Sequence, residues 1–337
     1  MPTLDDMPAP RVSVVIPTYR RPPLLKRCLD ALRGQSLPAA SFEVIVVDDG
    51  QTDDTRLLVE QMADEAASRG GPVFRYLTPH GTRGPAAARN RGWRAARADV
   101  IAFTDDDTVP DADWLRAGLR AMAGGAVAAS GRVEVPLPPV VTDHARMTAG
   151  LEQAGFVTAN CFVDRGALKR IGGFDERYTR AWREDTDLYF ALLRAYPQEG
   201  AVITAPAAVV QHPVREAPFA LSLRQQANMA FDALLYKKYP EQYRRVVGRR
   251  HAPPLYYAVA GAAVAAVIAG LLGQLAWALG SAALALVLIL VFTFRRLRGT
   301  SKSFRHVAEM LLTSAAIPFL SLYWRVAGGW RWRTPFY

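Results

Sequence analysis

The chain has 337 residues, 50% of them hydrophobic and 21% charged, which excludes a disordered polymer and leaves room for two compact units. Two cysteines, Cys28 and Cys161, exclude a disulfide framework and a thiolate metal cage. The net charge of +10 invites a nucleic-acid reading, but residues 242–337 hold 12 Lys and Arg with the single acid Glu309, leaving 29 bases against 30 acids ahead of them.

Residues 1–10 lack a basic n-region followed by an apolar stretch, so a tail is expected there and not a secretory signal. Residues 12–16 form a β-branched run ended by Pro17, which predicts a buried strand. A helix follows over 23–34, with Leu24, Leu25, Cys28, Leu29 and Leu32 on its apolar face. Residues 43–47, 73–77 and 100–103 read as further strands, and 84–96 as a helix. Asp53 and Asp54 suit the start of the helix after the second strand. This alternation predicts an α/β fold over residues 11–241, with a mostly parallel sheet and flanking helices.

Residues 242–253 form a basic linker containing Arg244, Arg245, Arg249 and Arg250. From Ala252 to Phe294 there are 43 residues without Asp, Glu, Lys or Arg. One span needs ~20 apolar residues, so a transmembrane hairpin is expected over 254–294, turning at Gly273 and Gln274. The competing reading is a hairpin buried in a protein core. Arg295, Arg296, Arg298, Lys302 and Arg305 follow, and the positive-inside rule then places both feet of the hairpin in the cytoplasm. Residues 304–327 carry Phe304, Val307, Ala308, Leu311, Leu312 and Ala315 on one helical face, with Arg305, His306, Glu309 and Thr313 opposite. A third span would export Arg325, Arg331 and Arg333, so an interfacial helix is expected here, interrupted at Pro318.

Ligands of open α/β sheets bind outside the carboxyl ends of the strands. Asp48-Asp49 and Asp105-Asp106-Asp107 both fall at such ends. Two acidic clusters on one rim repel each other, and carboxylate oxygens suit Mg²⁺ or Mn²⁺. The alternative is solvated turn acids. No G-x-G-x-x-G follows the first strand and no G-x-x-x-x-G-K-[ST] occurs, so a phosphate is expected on metal more than on a glycine-rich loop.

The motifs resemble those of the family 2 glycosyltransferases, which have the GT-A fold. The matching segments are Val12-Ser-Val-Val-Ile-Pro-Thr-Tyr-Arg20, Val46-Val-Asp-Asp-Gly50, Gly84-Pro-Ala-Ala-Ala-Arg-Asn-Arg-Gly92, Phe103-Thr-Asp-Asp-Asp107, Gly172-Gly-Phe-Asp-Glu176 and Arg183-Glu-Asp-Thr-Asp187. The resemblance implies that Pro17, Thr18 and Arg20 line a nucleotide pocket and that Asp49, beside Asp48, reads the nucleobase. It implies that Asp107 holds a divalent metal on the diphosphate, with Asp105 or Asp106 at the ribose or the metal waters. Arg83 and Arg89 are phosphate or base contacts on this reading. His212 helps hold the metal or is simply structural. Glu184-Asp185 matches the acidic pair that opens the catalytic helix; Asp185 is expected as base, with Glu184 supporting it, and capping is the alternative. Asn160, Trp182 and Asp175 fall in the acceptor-side segments.

The expected activity is inverting, Mn²⁺- or Mg²⁺-dependent transfer of a sugar from a nucleotide-diphosphate sugar, UDP or dTDP favoured. The acceptor is a hydroxyl of a lipid-linked saccharide or glycolipid at the inner leaflet of the cell membrane. Nucleic acid is not an expected partner. A polyprenyl-phosphate sugar synthase is the alternative, and a non-catalytic membrane scaffold is the alternative of another class. The Gln-x-x-Arg-Trp element of processive synthases is absent from residues 221–228, which argues against polymer export.

Overall fold

The computed structural model describes residues 8–337, so most of the expected N-terminal tail lies outside the described residues. The chain divides into two compact units. The first contains the described residues up to Pro136 together with Ala149–Pro213; the second contains Leu137–Thr148 and Val214–Tyr337.

In the first unit, β1 (Val12–Thr18), α1 (Pro22–Arg33), β2 (Phe42–Asp48), α2 (Asp53–Ser68), β3 (Val73–Leu77), α3 (Pro85–Ala95) and β4 (Val100–Thr104) alternate as expected. Every residue of β1 and β2 is buried, which is why these strands read as unbroken apolar runs. The chain continues through β5 (Val109–Pro110), α4 (Trp114–Met122), β6 (Ala128–Glu134), β7 (Asn160–Asp164), α6 (Arg165–Ile171), α7 (Glu184–Ala195) and β8 (Val202–Gln211). The α5 helix (Asp143–Ala149) starts in the second unit.

The eight strands form one sheet in the order β3-β2-β1-β4-β7-β6-β8-β5. The β3-β2-β1-β4 half is wholly parallel. The other half is mixed: β7 runs antiparallel to β4 and β6, and β5 to β8, while β6 and β8 are parallel. The mostly parallel expectation therefore describes one half only. Strands β6 and β7 escaped the sequence reading because Ala128–Glu134 and Asn160–Asp164 carry few β-branched residues. Burial pins them instead: Phe162 and Trp114 pack with ring centroids 5.1 Å apart, and Gly118 leaves the space that Phe162 fills.

The second unit begins with α5 and continues with α8 (Leu221–Gln225), α9 (Met229–Lys238) and a single turn, α10 (Pro240–Gln242). Then come α11 (Pro254–Leu271), α12 (Leu275–Leu297) and α13 (Phe304–Trp332). By length and composition, α11, α12 and α13 are each apolar enough to cross a membrane. Gly273, at φ 72°, makes the turn between α11 and α12. The buried-core reading of this hairpin fails, because Leu271, Trp277 and Phe294 are 83%, 73% and 71% exposed. A helix apolar and bare all round has lipid as its natural solvent. Helix α13 runs unbroken through Pro318 and ends five residues beyond the expected 327.

Candidate active site

The parallel pairing decides where the acids go. Thr18 sits opposite Asp48 in the β1–β2 register, and β4 lies on the other side of β1. The carboxyl ends of three adjacent strands thus deliver Thr18, Asp48-Asp49 and Asp105–Asp107 to one rim, the usual ligand position for such sheets.

The three aspartates after β4 do three different things. Asp105 and Asp107 turn toward His212, at the end of β8, and one ligand atom from each of the three lies within 4.8 Å of the others. His212 Nε2 is 3.5 Å from Asp107 Oδ1, and its Nδ1 is buried without a partner. Two carboxylate oxygens and one imidazole nitrogen suit Mn²⁺ or Mg²⁺. Asp106 points elsewhere. Thr18 Oγ1 donates to its Oδ2 at 2.7 Å, and Arg21 Nη2 lies 2.9 Å from its Oδ1. Burial pushes the Asp106 carboxyl up to about 7, although Arg21 opposes this. The expected ribose or metal-water role therefore fits Asp105 and not Asp106. Arg21, which also lies 3.7 Å from Asp107, was missed in the sequence; its position beside Arg20 in the loop after β1 was the available signal.

Arg89 departs furthest from expectation. It is not a surface residue: it is 2% exposed inside α3. Its Nη2 lies 2.7 Å from Asp105 Oδ1 and its Nη1 3.1 Å from Glu184 Oε1. One guanidinium therefore joins the metal-ligand cluster to the acidic pair on α7. Burial alone would raise Asp105, but Arg89 and then His212 outweigh it and hold the carboxyl below its ordinary value. Burial pushes Glu184 up to about 7 despite Arg89.

Arg183, just before α7, adopts φ 72°, a conformation non-glycine residues rarely occupy. Glu184 and Asp185 then stand in the first turn of the helix, with Glu184 turned inward and Asp185 part-exposed. Asp185 Oδ1 accepts from the Thr186 N–H at 2.6 Å and from Thr186 Oγ1 at 3.1 Å, leaving Oδ2 available. Burial raises the Asp185 carboxyl above its ordinary value. Glu184 is committed to Arg89, so Asp185 is the better placed proton acceptor.

The remaining residues separate into an open set and a structural set. Asp49 Oδ2 accepts from the Gly84 N–H at 3.0 Å, while Oδ1 is buried with no partner. That leaves an acceptor for a ligand N–H. Pro17 is buried at the end of β1, Arg20 is exposed with φ 52°, and Arg83 is exposed just before α3. Asp48 belongs to the structural set: its oxygens accept from the N–H groups of Gly50 and Thr52 and from Tyr76, fixing the turn after β2. Asn160 is fully buried, takes the Trp114 Nε1 hydrogen and donates to the carbonyls of Arg132 and Ala208. It ties β7 into the sheet. Asp175 pairs with Arg177 at 2.6 Å, and Arg183 stacks over Trp182 at 5.0 Å. Asn90 clamps the Phe174 backbone through both its amide atoms.

The rim thus brings together a candidate cation site, an open acceptor and a raised carboxylate. The comparisons are specific. The model of glycosyl transferase family 2 matches residues 13–181, half of the chain, and the chain belongs to that family. The glycosyltransferase AglE of Haloferax volcanii is 28% identical over 232 residues, covering 64% of this chain and 71% of that protein. The GalNAc(5)-diNAcBac-PP-undecaprenol beta-1,3-glucosyltransferase of Campylobacter jejuni is 29% identical over 98 residues, covering 29% of this chain and 30% of that protein. The mannosyltransferase PcManGT from Pyrobaculum calidifontis, in complex with GDP-Man and Mn²⁺, superposes with a TM-score of 0.55 at 21% identity, covering 94% of this chain and 88% of that one. The fold is GT-A, with three apolar helices after it.

Proposed function

We propose that the protein transfers one sugar, with inversion, from a nucleotide-diphosphate sugar to a hydroxyl of a lipid-linked saccharide or glycolipid. The observation that carries this reading is Arg89, whose single side chain hydrogen-bonds both Asp105 of the cation cluster and Glu184 of the acidic pair. It keeps the two half-sites within one guanidinium of each other. Asp105, Asp107 and His212 would hold the divalent cation. When bound there, the cation neutralises charge developing on the departing nucleoside diphosphate.

The chain's own residues do the rest. Asp49 Oδ1 can accept a base N–H, which uracil, thymine and guanine all offer; the family resemblance is what favours UDP or dTDP as donor. Asp185 takes the proton of the acceptor hydroxyl as that oxygen attacks the anomeric carbon. Its raised carboxyl makes it a stronger base than an exposed aspartate. One base on one face gives a single displacement and so inversion. A phosphate acceptor needs no base, so the Asp185 arrangement favours a hydroxyl over a polyprenyl-phosphate acceptor. The lipid-linked acceptor rests on the bare hairpin α11–α12 and on the Campylobacter relative, whose name carries such an acceptor. The basic flanks of the hairpin support a cytoplasmic position for the catalytic unit.

The test is donor binding and hydrolysis by the full chain across a panel of nucleotide sugars with Mn²⁺. Asp107→Ala should lose metal-dependent binding. Asp185→Asn should bind the donor within about 3-fold of wild type and lose turnover by about 10²–10⁴-fold, the usual worth of a general base. A donor bound equally well by Asp107→Ala would sink the assignment.

A further inference from the structure

Helix α13 is long and apolar enough to cross a membrane, yet its contacts join places that share one membrane face. The hairpin α11–α12 turns at Gly273, so its two feet, Arg250–Pro254 and Arg296–Arg298, stand together at the opposite end. About a third of the way along, α13 touches the second foot: Arg296 Nη1 donates to Thr313 Oγ1 at 2.6 Å and to Ser314 Oγ at 3.2 Å. Near its end it touches the first foot: Arg325 Nη1 donates to the Arg250 carbonyl at 3.0 Å. Residues beyond that point hold the same side. Trp332 Nε1 donates to the Ala230 carbonyl at 3.0 Å, and Phe336 packs against Tyr236 and Tyr243 ahead of the hairpin.

Residues 304 and 325 are ~31 Å apart along a helix at 1.5 Å per residue. That is the full thickness of the ~30 Å hydrocarbon core. A spanning α13 would place Arg325 across the bilayer from residue 304, and it instead meets the hairpin's first foot. Its burial agrees. The residues turned inward include His306, Thr313, Ser314, Ser321 and Arg325, while Phe304, Leu312, Phe319, Tyr323, Val326 and Trp330 face out in one stripe at helical spacing. A helix on water shows the reverse arrangement. Arg325, buried over the Phe336 ring at 5.2 Å, would be costly at the middle of a bilayer and is tolerable at its edge.

We propose that α13 lies along the membrane surface across both feet of the hairpin. Its outward apolar stripe is sunk into the acyl boundary of the leaflet at the hairpin's feet, and the chain crosses the membrane twice. The occupant of the stripe is lipid: it continues the bare surface of α11 and α12, and Lys302, Arg305, Arg331 and Arg333 stand exposed at its two ends, where anionic headgroups attract them.

The test labels single cysteines in the full chain in sealed vesicles with a membrane-impermeant maleimide; Cys28 and Cys161 are fully buried and give the background. Arg333→Cys should label from the same side as Asp99→Cys, and Gln274→Cys from the other side. Labelling of Arg333→Cys together with Gln274→Cys would overturn the proposal. Nitroxides at positions 304, 312, 319 and 326 should all report one shallow depth of about 5–10 Å by collision with oxygen and nickel. A gradient through the bilayer centre, or full exposure to nickel, would equally overturn it.

Discussion

Replacing Arg89 by Met isolates the central tie of the catalytic unit. The variant keeps a long side chain and removes one cation that is 2% exposed and bonded to two acids, at 2.7 and 3.1 Å. Removing one partner of a buried ion pair costs about 3–5 kcal/mol, because the other partner stays buried without compensation. For a unit of about 200 residues, each kcal/mol lowers Tm by roughly 2–4 °C, so the loss should be about 6–20 °C. The loss should also depend on pH. Glu184 has a raised pKa, so the strain of its charge is absent when it is protonated and appears as pH climbs through about 7. Without Arg89 that pKa rises further, so Arg89→Met should lose more Tm at pH 8.5 than at pH 6. Mn²⁺ should return part of the loss, since Asp105 is one of the proposed cation ligands. Adding Glu184→Gln should recover more than half of it. The assay is thermal unfolding of the full chain in detergent at both pH values, with and without Mn²⁺. A Tm change under 2 °C at pH 8.5, or equal losses at both pH values, would refute the reasoning.

Three further outcomes follow from the same geometry. The raised Asp185 carboxyl must be deprotonated to act, so kcat/KM should rise with pH along an acid limb lying above the ordinary aspartate range, and Asp185→Asn should lack that limb. Gly84→Ala should lower Tm by several degrees and raise the donor KM: a Cβ there would meet the Thr179 carbonyl at 2.7 Å at φ 106°, and the Gly84 N–H holds Asp49. Asp48→Ala and Asp49→Ala, though adjacent, should separate cleanly. The first should lower Tm, because two turn N–H groups lose their acceptor; the second should raise the donor KM about 10-fold or more with little change in Tm.

Much of this protein is written in local pattern. The β-branched runs of β1 and β2, the acids after β2 and β4, and the apolar stretch of α11 and α12 need only their neighbours to be understood. Each signal has a short physical range: strand burial, the carboxyl-end rule, the thickness of a bilayer. The same order of motifs carried the family, and the family model agrees.

Tertiary structure alone decided which of several alike residues acts. Asp48 and Asp49 are adjacent and chemically identical, yet one closes a turn and the other keeps an open oxygen. Asp105, Asp106 and Asp107 diverge because each is aimed by a different partner: Arg89, Thr18 with Arg21, and His212. The tie that Arg89 makes between Asp105 and Glu184 was not legible, because a sequence does not show that α3 and α7 face each other across β4's end. Asn160 looked like a ligand for the same reason, its three partners lying 28 to 48 residues away. Composition and period report what a segment prefers, while the partner of a buried polar group is set by elements distant in the chain, and only the folded sheet brings them together.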